Sequence, residues 1–370
     1  MPDSSERPAT ELKLSTRKPA IDYSVAGWTP DGYDIVDYIY RSTHQIWDEK
    51  FIGRIYDYYL PRAVVHTSDG DIYGRDQVVR LTTIRQAAFP DTRDFIEDVI
   101  WSGDEEVGWK TSMRWTYVGT NTGHSVYGPP TGRKVAVRGL AVCHVRNNQV
   151  CEEWVAYNER SLLRQLGLNE REVMERFART GWSNGNVGVV DTTAHGEVEN
   201  VIAQATPAAV PRPTNEGFDP EYFVRRAYHE IWNWRYIGRI DEYFAPTHIC
   251  HASSDREIYS LGDYKHDILA RLAAFPDGAL HVDEVITVGD EVAGYRVSVR
   301  WTFQGTHLGP GAYGPPTGKR VNFFGISQHQ IREGRFIEEF TEFGEFSVMK
   351  KLHFSELFDQ SRRAPGGDRP

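Results

Sequence analysis

Three histidines and two glutamates stand where proton transfer could be arranged. His329, Glu338 and Glu342 lie in VNFFGISQHQIREGRFIEEFTEFG, which reads as a hairpin turning at Glu333-Gly334. Counting outward from that turn puts His329 opposite Glu338 and Gly325 opposite Glu342 on one side of the sheet. A His and Glu paired across two strands can hydrogen-bond, which orients the imidazole and raises its basicity. His329, held by Glu338, or Glu342 itself would then take a proton from beside a carbonyl or from a hydroxyl. His251 or Tyr313 would supply one to the developing oxyanion. The plain alternative is a solvated face on which His329–Glu338 is an ordinary surface pair. His251 in ICHASSD has a twin, His66 in VVHTSD. A histidine in the middle of a strand is most often a satisfied core residue, and its recurrence in both places makes the pair candidates for a site.

The hairpin also has a twin, VAVRGLAVCHVRNNQVCEEWVAYN, turning at Asn147-Asn148. The same count sets Glu152 opposite Cys143, Trp154 opposite Ala141, and Asn158 opposite Val137, a far less ionisable set. Catalysis is therefore expected in the second half of the chain.

These twins belong to a larger duplication. YGPPTG occurs at Tyr127 and again at Tyr313, 186 positions later, and AAFPD at 87–91 recurs at 273–277. RWTYVGTNTGHSVYGPPTG and RWTFQGTHLGPGAYGPPTG share twelve of nineteen residues, more than a common turn requires. A repeat of this length signals two whole domains rather than a solenoid. In each, apolar spacing predicts two opening helices, a short strand around the histidine, a third helix ending at Pro-Asp, and a run of long strands. VGWKTSMRWTYV alternates Trp109, Met113, Trp115 and Tyr117 against Lys110, Ser112 and Arg114, the pattern of a half-buried strand. YGPPTG reads as a rim turn, with Tyr127 or Tyr313 leaning over a pocket mouth. The fold class is α+β: two tandem cone-shaped barrels of three helices on a curved, mainly antiparallel sheet. Residues 1–28 read as a disordered arm, 29–180 as the first domain, 181–217 as a linker, 218–358 as the second domain, and 359–370 as a flexible tail.

The chain has 370 residues and a formal charge of −10, which leaves no basic face for nucleic acid or for an anionic membrane. The absence of a long apolar run predicts a protein that stays in the cytosol. Cys143, Cys151 and Cys250 are sparse and lack metal-type spacing, so free thiols and no metal are expected.

GD-x-V, the RW strand, GT followed by YGPPTG, the hairpin ending in EEW, and RSLLRQLGL resemble the SnoaL-like ester and polyketide cyclases of the nuclear-transport-factor-2-like superfamily. The resemblance covers about 250 residues, two repeats together. It implies a cone with a deep apolar pocket, no metal or organic cofactor, and an acid/base residue four positions after the Trp of EEW. That position is Asn158 here and Gly344 in the second half. It also implies an intrachain pseudo-dimer through the outer sheet faces, on which homo-oligomers could build, with Arg114, Arg300, Glu153 and Glu339 expected near the joint. Trp115, Trp154, Tyr295, Trp301, Phe340, His307, Tyr127 and Tyr313 would line or flank pockets suited to an aromatic or apolar small molecule. The expected function is cofactor-independent acid/base chemistry, as a lyase, isomerase or cyclase, on a small carbonyl or hydroxyl compound. An epoxide-type hydrolase with a paired Asp-Arg-Asp arrangement and a non-catalytic ligand-binding module remain open.

Overall fold

The computed structural model describes residues 25–180, 189–190, 209–213 and 217–353. The expected tail, most of the linker, and the arm up to residue 24 lie outside these. Residues 25–28, assigned to that arm, belong instead to the first domain. Ala26 is fully buried, and the strands β1 (Trp28–Thr29) and β2 (Gly32–Tyr33) form a small hairpin.

Each domain opens with helices at the expected places. Asp34 and Asp219 cap Ile35–Thr43 and Pro220–Tyr228 by accepting first-turn N–H groups, and each helix runs on into a π-helical turn at His44–Asp48 or His229–Asn233. Short turns at Ile55–Tyr58 and Ile240–Tyr243 lead into β3 (Tyr59–Thr67) with β4 (Gly70–Tyr73), and β10 (Phe244–Ala252) with β11 (Arg256–Ile258). After the helices Arg75–Ala88 and Leu261–Ala274 come the long strands. In the first domain these are β5 (Arg93–Asp104), β6 (Gly108–Thr120), β7 (Lys134–Arg146) and β8 (Gln149–Tyr157). In the second they are β12 (Ala279–Asp290), β13 (Gly294–Thr306), β14 (Arg320–Arg332) and β15 (Arg335–Glu342). The sheet orders are β5-β6-β7-β8-β3-β4, extended by β9 (Val189–Val190), and β12-β13-β14-β15-β10-β11. Only β3 with β8 and β10 with β15 pair in parallel. Among the described residues, no helix is long and apolar enough to cross a membrane.

The hairpin register departs from the simple count. The turns form as expected, with Asn147, Asn148, Glu333 and Gly334 all in the left-handed region. Val145 pairs with Val150, but His144 pairs with Glu152, so Cys151 is an extra residue; Ile337 is the extra one between Ile331–Phe336 and Gln330–Glu338. A bulge of one residue reverses the facing of everything beyond it. His329 therefore lies opposite Glu339, Gln330 opposite Glu338, and Ile326 opposite Glu342, correcting the expected pairs. Glu153 and Glu339 point into the cones. Glu152, Trp154, Glu338, Phe340 and Glu342 point outward.

The outward faces meet as a pseudo-dimer. Ile100, Leu140, Val142, Ile286 and Ile326 form a buried seam between the two sheets. Ser298 donates to Ser112, its own counterpart, at 2.7 Å, which marks the pseudo-twofold axis. Arg114 stacks on Phe340 at 3.5 Å and Arg300 on Trp154 at 4.0 Å, a reciprocal pair of cation–π contacts that confirms these arginines at the joint. Glu153 and Glu339 are not at the joint, because of the bulges. The symmetry fails at Arg138 and Glu342, which make an ion pair at 2.8 Å where the equivalent positions hold Phe324 and Ala156. Arg138→Ala strands the fully buried Glu342 and is expected to cost about 3–5 kcal/mol of stability in urea unfolding. Arg138→Phe with Glu342→Ala, copying the apolar side, should recover most of it.

Candidate active site

The two cones share a backbone plan but not an interior. The first holds a cavity of about 300 Å³, whereas the pocket within the second has about 10 Å³, the room of about one water. The residues explain the difference. Thr43, Val78, Val137 and Cys143 line the first cavity, and at the equivalent positions Tyr228, Tyr264, Phe323 and His329 fill the second cone. The second half, where the site was expected, offers little of that volume: His329 is a buried interior residue bonded to Tyr228 Oη at 2.8 Å. Val137→Phe should close the first cavity in the same way. It is expected to abolish ligand-induced thermal shifts while leaving the melting temperature of the free protein within a few degrees.

Ionisable side chains break the apolar wall of the first cavity at three places. The first is Glu153, delivered inward by the Cys151 bulge. Tyr59 Oη donates to its carboxylate at 2.7 Å and Cys143 lies beside it. Burial pushes its pKa up to about 7, with the Tyr59 and Cys143 hydrogen bonds opposing, and no cation among the described residues lies within ion-pair distance. The second is Arg85 with Asp94. The guanidinium sits among Trp47, Tyr117 and Tyr157 at 4.2–4.9 Å from their ring centres and donates to Tyr157 Oη at 2.7 Å. Its Nη2 and one Asp94 oxygen are buried without a hydrogen-bond partner among the described residues. Burial raises Asp94 to about 6, opposed by Arg85. In the second domain the equivalent Arg271 is held by Asp267, one helical turn back, where the first domain has Leu81. The third group is Glu159, which accepts from Tyr127 Oη at 2.7 Å and is raised to about 7 by burial, opposed by Lys350.

The residues expected from the sequence are scattered by this geometry. Trp115 and Tyr127 line the cavity. Their counterparts Trp301 and Tyr313 are buried in the filled cone, as is His307, which faces Thr317 and Phe275. Tyr295 packs on Phe218. His66 and His251 sit on the outer face, each between two carboxylates and stacked on Trp154 or Phe340. Glu338 and Glu342 share that face. Asn158 is a helix cap: its carbonyl accepts from Ser161 N and Ser254 N, and its amide donates to Asp255 across the joint. At Gly344 a Cβ would lie 2.0 Å from Ser68 Oγ, so closeness of the other domain requires glycine there. Arg85, Asp94, Glu159 and the inward role of Glu153 went unseen. Comparing the repeats for volume and charge, Val137 against Phe323 and Leu81 against Asp267, carries the signal for them. Among the described residues no group of three or more His, Cys, Asp or Glu could hold a metal ion, and Arg85 has no ion-paired carboxylate of the kind an Asp-Arg-Asp arrangement needs.

The model of the SnoaL-like polyketide cyclase family matches residues 37–166 and again 223–352. Solved structures resemble single domains of the chain. IdmH of Streptomyces antibioticus, a candidate polyketide cyclase, is 24% identical over 34% of this chain and 94% of its own, with a TM-score of 0.30. AclR of Streptomyces galilaeus, a candidate hydroxylase, is 23% identical over 36% and 93%, at 0.31. A protein of Catenulispora acidiphila with a ketosteroid isomerase-like fold, solved with trimethylamine, is 16% identical over 35% and 93%, at 0.30. No curated protein matches.

Proposed function

Because the chain belongs to the SnoaL-like polyketide cyclase family, once in each half, we propose that its first domain is an acid/base enzyme of the cyclase, lyase or isomerase kind. Its substrate is a small apolar or aromatic carbonyl compound. The observation that carries this reading is Glu153: a carboxyl held near neutrality by burial, inside an apolar cavity, with no cation to fix its charge. As the carboxylate it takes a proton from the carbon beside the carbonyl, and the C–H electrons move to the carbonyl oxygen as an enolate. Arg85 and the Tyr157 hydroxyl are the groups suited to receive that oxygen's charge. The enolate carbon then attacks a second carbonyl of the same molecule, whose π electrons pass to its oxygen and take up the proton held by the Glu153 carboxylic acid; in an isomerisation the enolate instead takes that proton back at another carbon. The aromatic walls select flat, apolar substrates. One observation favours a second reading, a binding module without turnover: Asn158, at the family's acid position, caps a helix instead.

The test is a thermal-shift screen of aromatic and polyketide-like ketones against the full chain and Val137→Phe. Binders of the parent that do not shift Val137→Phe support the cavity, and turnover of any of them separates enzyme from module. If ligands shift both proteins equally, the site lies elsewhere.

A further inference from the structure

A filled second cone raises the question of what the second domain contributes. Residues 345–353, a helix following β15, pack against the first domain: Phe346 joins Leu163, Val173, Met174 and Phe177 in one buried cluster. Ser347 donates to the Ser68 carbonyl at 2.6 Å. From this helix Lys350, itself 5% exposed, brings its ammonium to 2.7 Å from Asp69 and 3.9 Å from Glu159, both of which line the cavity. Glu159 in turn holds the Tyr127 hydroxyl at the rim. The mirror-related contact, Arg164 with Asp255, is 3.3 Å long, and both side chains are about half exposed beside the cone with the small pocket. The exchange of terminal helices is symmetric; its delivery of a buried cation to a cavity wall is not.

We propose that Lys350 is a positioning residue of the first domain's site, supplied across the domain joint. It holds Asp69 and Glu159 together as its counter-ions and, through Glu159, fixes Tyr127 at the cavity mouth. The proposal rests on the reading of that cavity as the ligand site. The charged or titratable groups facing this spot are Asp69 from the β3–β4 turn, Glu159 at the start of the helix Glu159–Leu166, and Tyr127 from the rim loop. Arg176 donates to the Tyr127 carbonyl. Without Lys350, two carboxylates would share a poorly solvated wall, and one would hold a proton until the pH is high enough to force it off. Ligand binding would then acquire a pH dependence beyond the one that Glu153, Asp94 and Glu159 already give the parent protein.

The experiment measures the affinity of the full-length protein for a neutral fluorescent naphthyl ketone from pH 5 to 9. Lys350→Met is expected to bind about as well as the parent at pH 5.5 and on the order of tenfold more weakly at pH 8.5, with Lys350→Arg restoring the parent profile. Superimposable parent and Lys350→Met profiles would overturn the proposal while leaving the cavity reading intact. A parent protein that binds no such probe removes both. If Lys350→Met does not fold, adding Asp69→Asn and Glu159→Gln should restore folding and a parent-like profile; failure of that triple variant also overturns the proposal.

Discussion

Glu153→Gln is expected to lower turnover by about 10²–10⁴-fold, the usual contribution of a positioned acid/base, while ligand affinity changes little. Gln keeps the size of the side chain and can still accept from Tyr59, but it cannot take a proton. The same change has an opposite effect on stability. The folded-state pKa of Glu153, about 7, lies above the ordinary glutamate value, so the folded state holds this proton more tightly than the unfolded chain does. That contribution is complete below about pH 4.5 and is lost as the pH rises through 7, a swing of about 3 kcal/mol. Glu153→Gln removes the swing, so its melting temperature relative to the parent should rise between pH 5 and 8. Loss of turnover together with gain of alkaline stability is the signature of a carboxyl kept under strain for use. Glu338→Gln, on the outer face, is expected to leave turnover unchanged. A Glu153→Gln protein with parental turnover would end the assignment of Glu153 as base.

The failure to see Glu153 beforehand has one physical cause, the bulge at Cys151. Strand periodicity is reliable while pairing is regular, and RWTYV and RWTFQ on β6 and β13 behaved so: Trp115 and Trp301 face inward, Arg114 and Arg300 outward. The duplication, the opening helices and both two-residue turns were legible for the same reason, since each depends on local chemistry or on repeated pattern, while the sheet-to-sheet joint followed from the family resemblance. A bulge leaves no comparable mark in composition, and a single inserted residue exchanged Glu152 with Glu153 and Glu338 with Glu339 between joint and interior. The difference in volume between the cones went unread for a different reason. Ionisable residues were counted as chemistry when in the second domain they are packing: His329, Tyr228 and Tyr264 occupy the volume that Cys143, Thr43 and Val78 leave open. A site needs space as well as functional groups, and only side-chain volume compared between the copies reports it.

Those packed histidines lead to the second large effect, selective acid lability of the second domain. His248 and His329 are 1% and 2% exposed, and burial lowers them to about 4 and about 3; Glu339 draws His248 back up while His329 and His251 push it further down. Both are therefore neutral when folded, whereas in the unfolded chain each takes a proton near pH 6.5. Histidines of depressed pKa stabilise nothing extra above that pH and cost stability progressively as the pH falls toward 4 and 3. The full penalty is on the order of 8 kcal/mol, comparable to the whole stability of a domain. Around pH 5 the two histidines together take up about two protons on unfolding, which contributes a fall in stability of about 3 kcal/mol per pH unit. The first domain has Ala63 and Cys143 at these positions and carries no such load. Restoring them in the second, as His248→Ala with His329→Cys, lowers stability at neutral pH by opening small cavities, yet it should flatten the acid limb of a calorimetric profile between pH 6.5 and 4. An acid limb as steep in the double variant as in the parent would place the proton uptake on other groups.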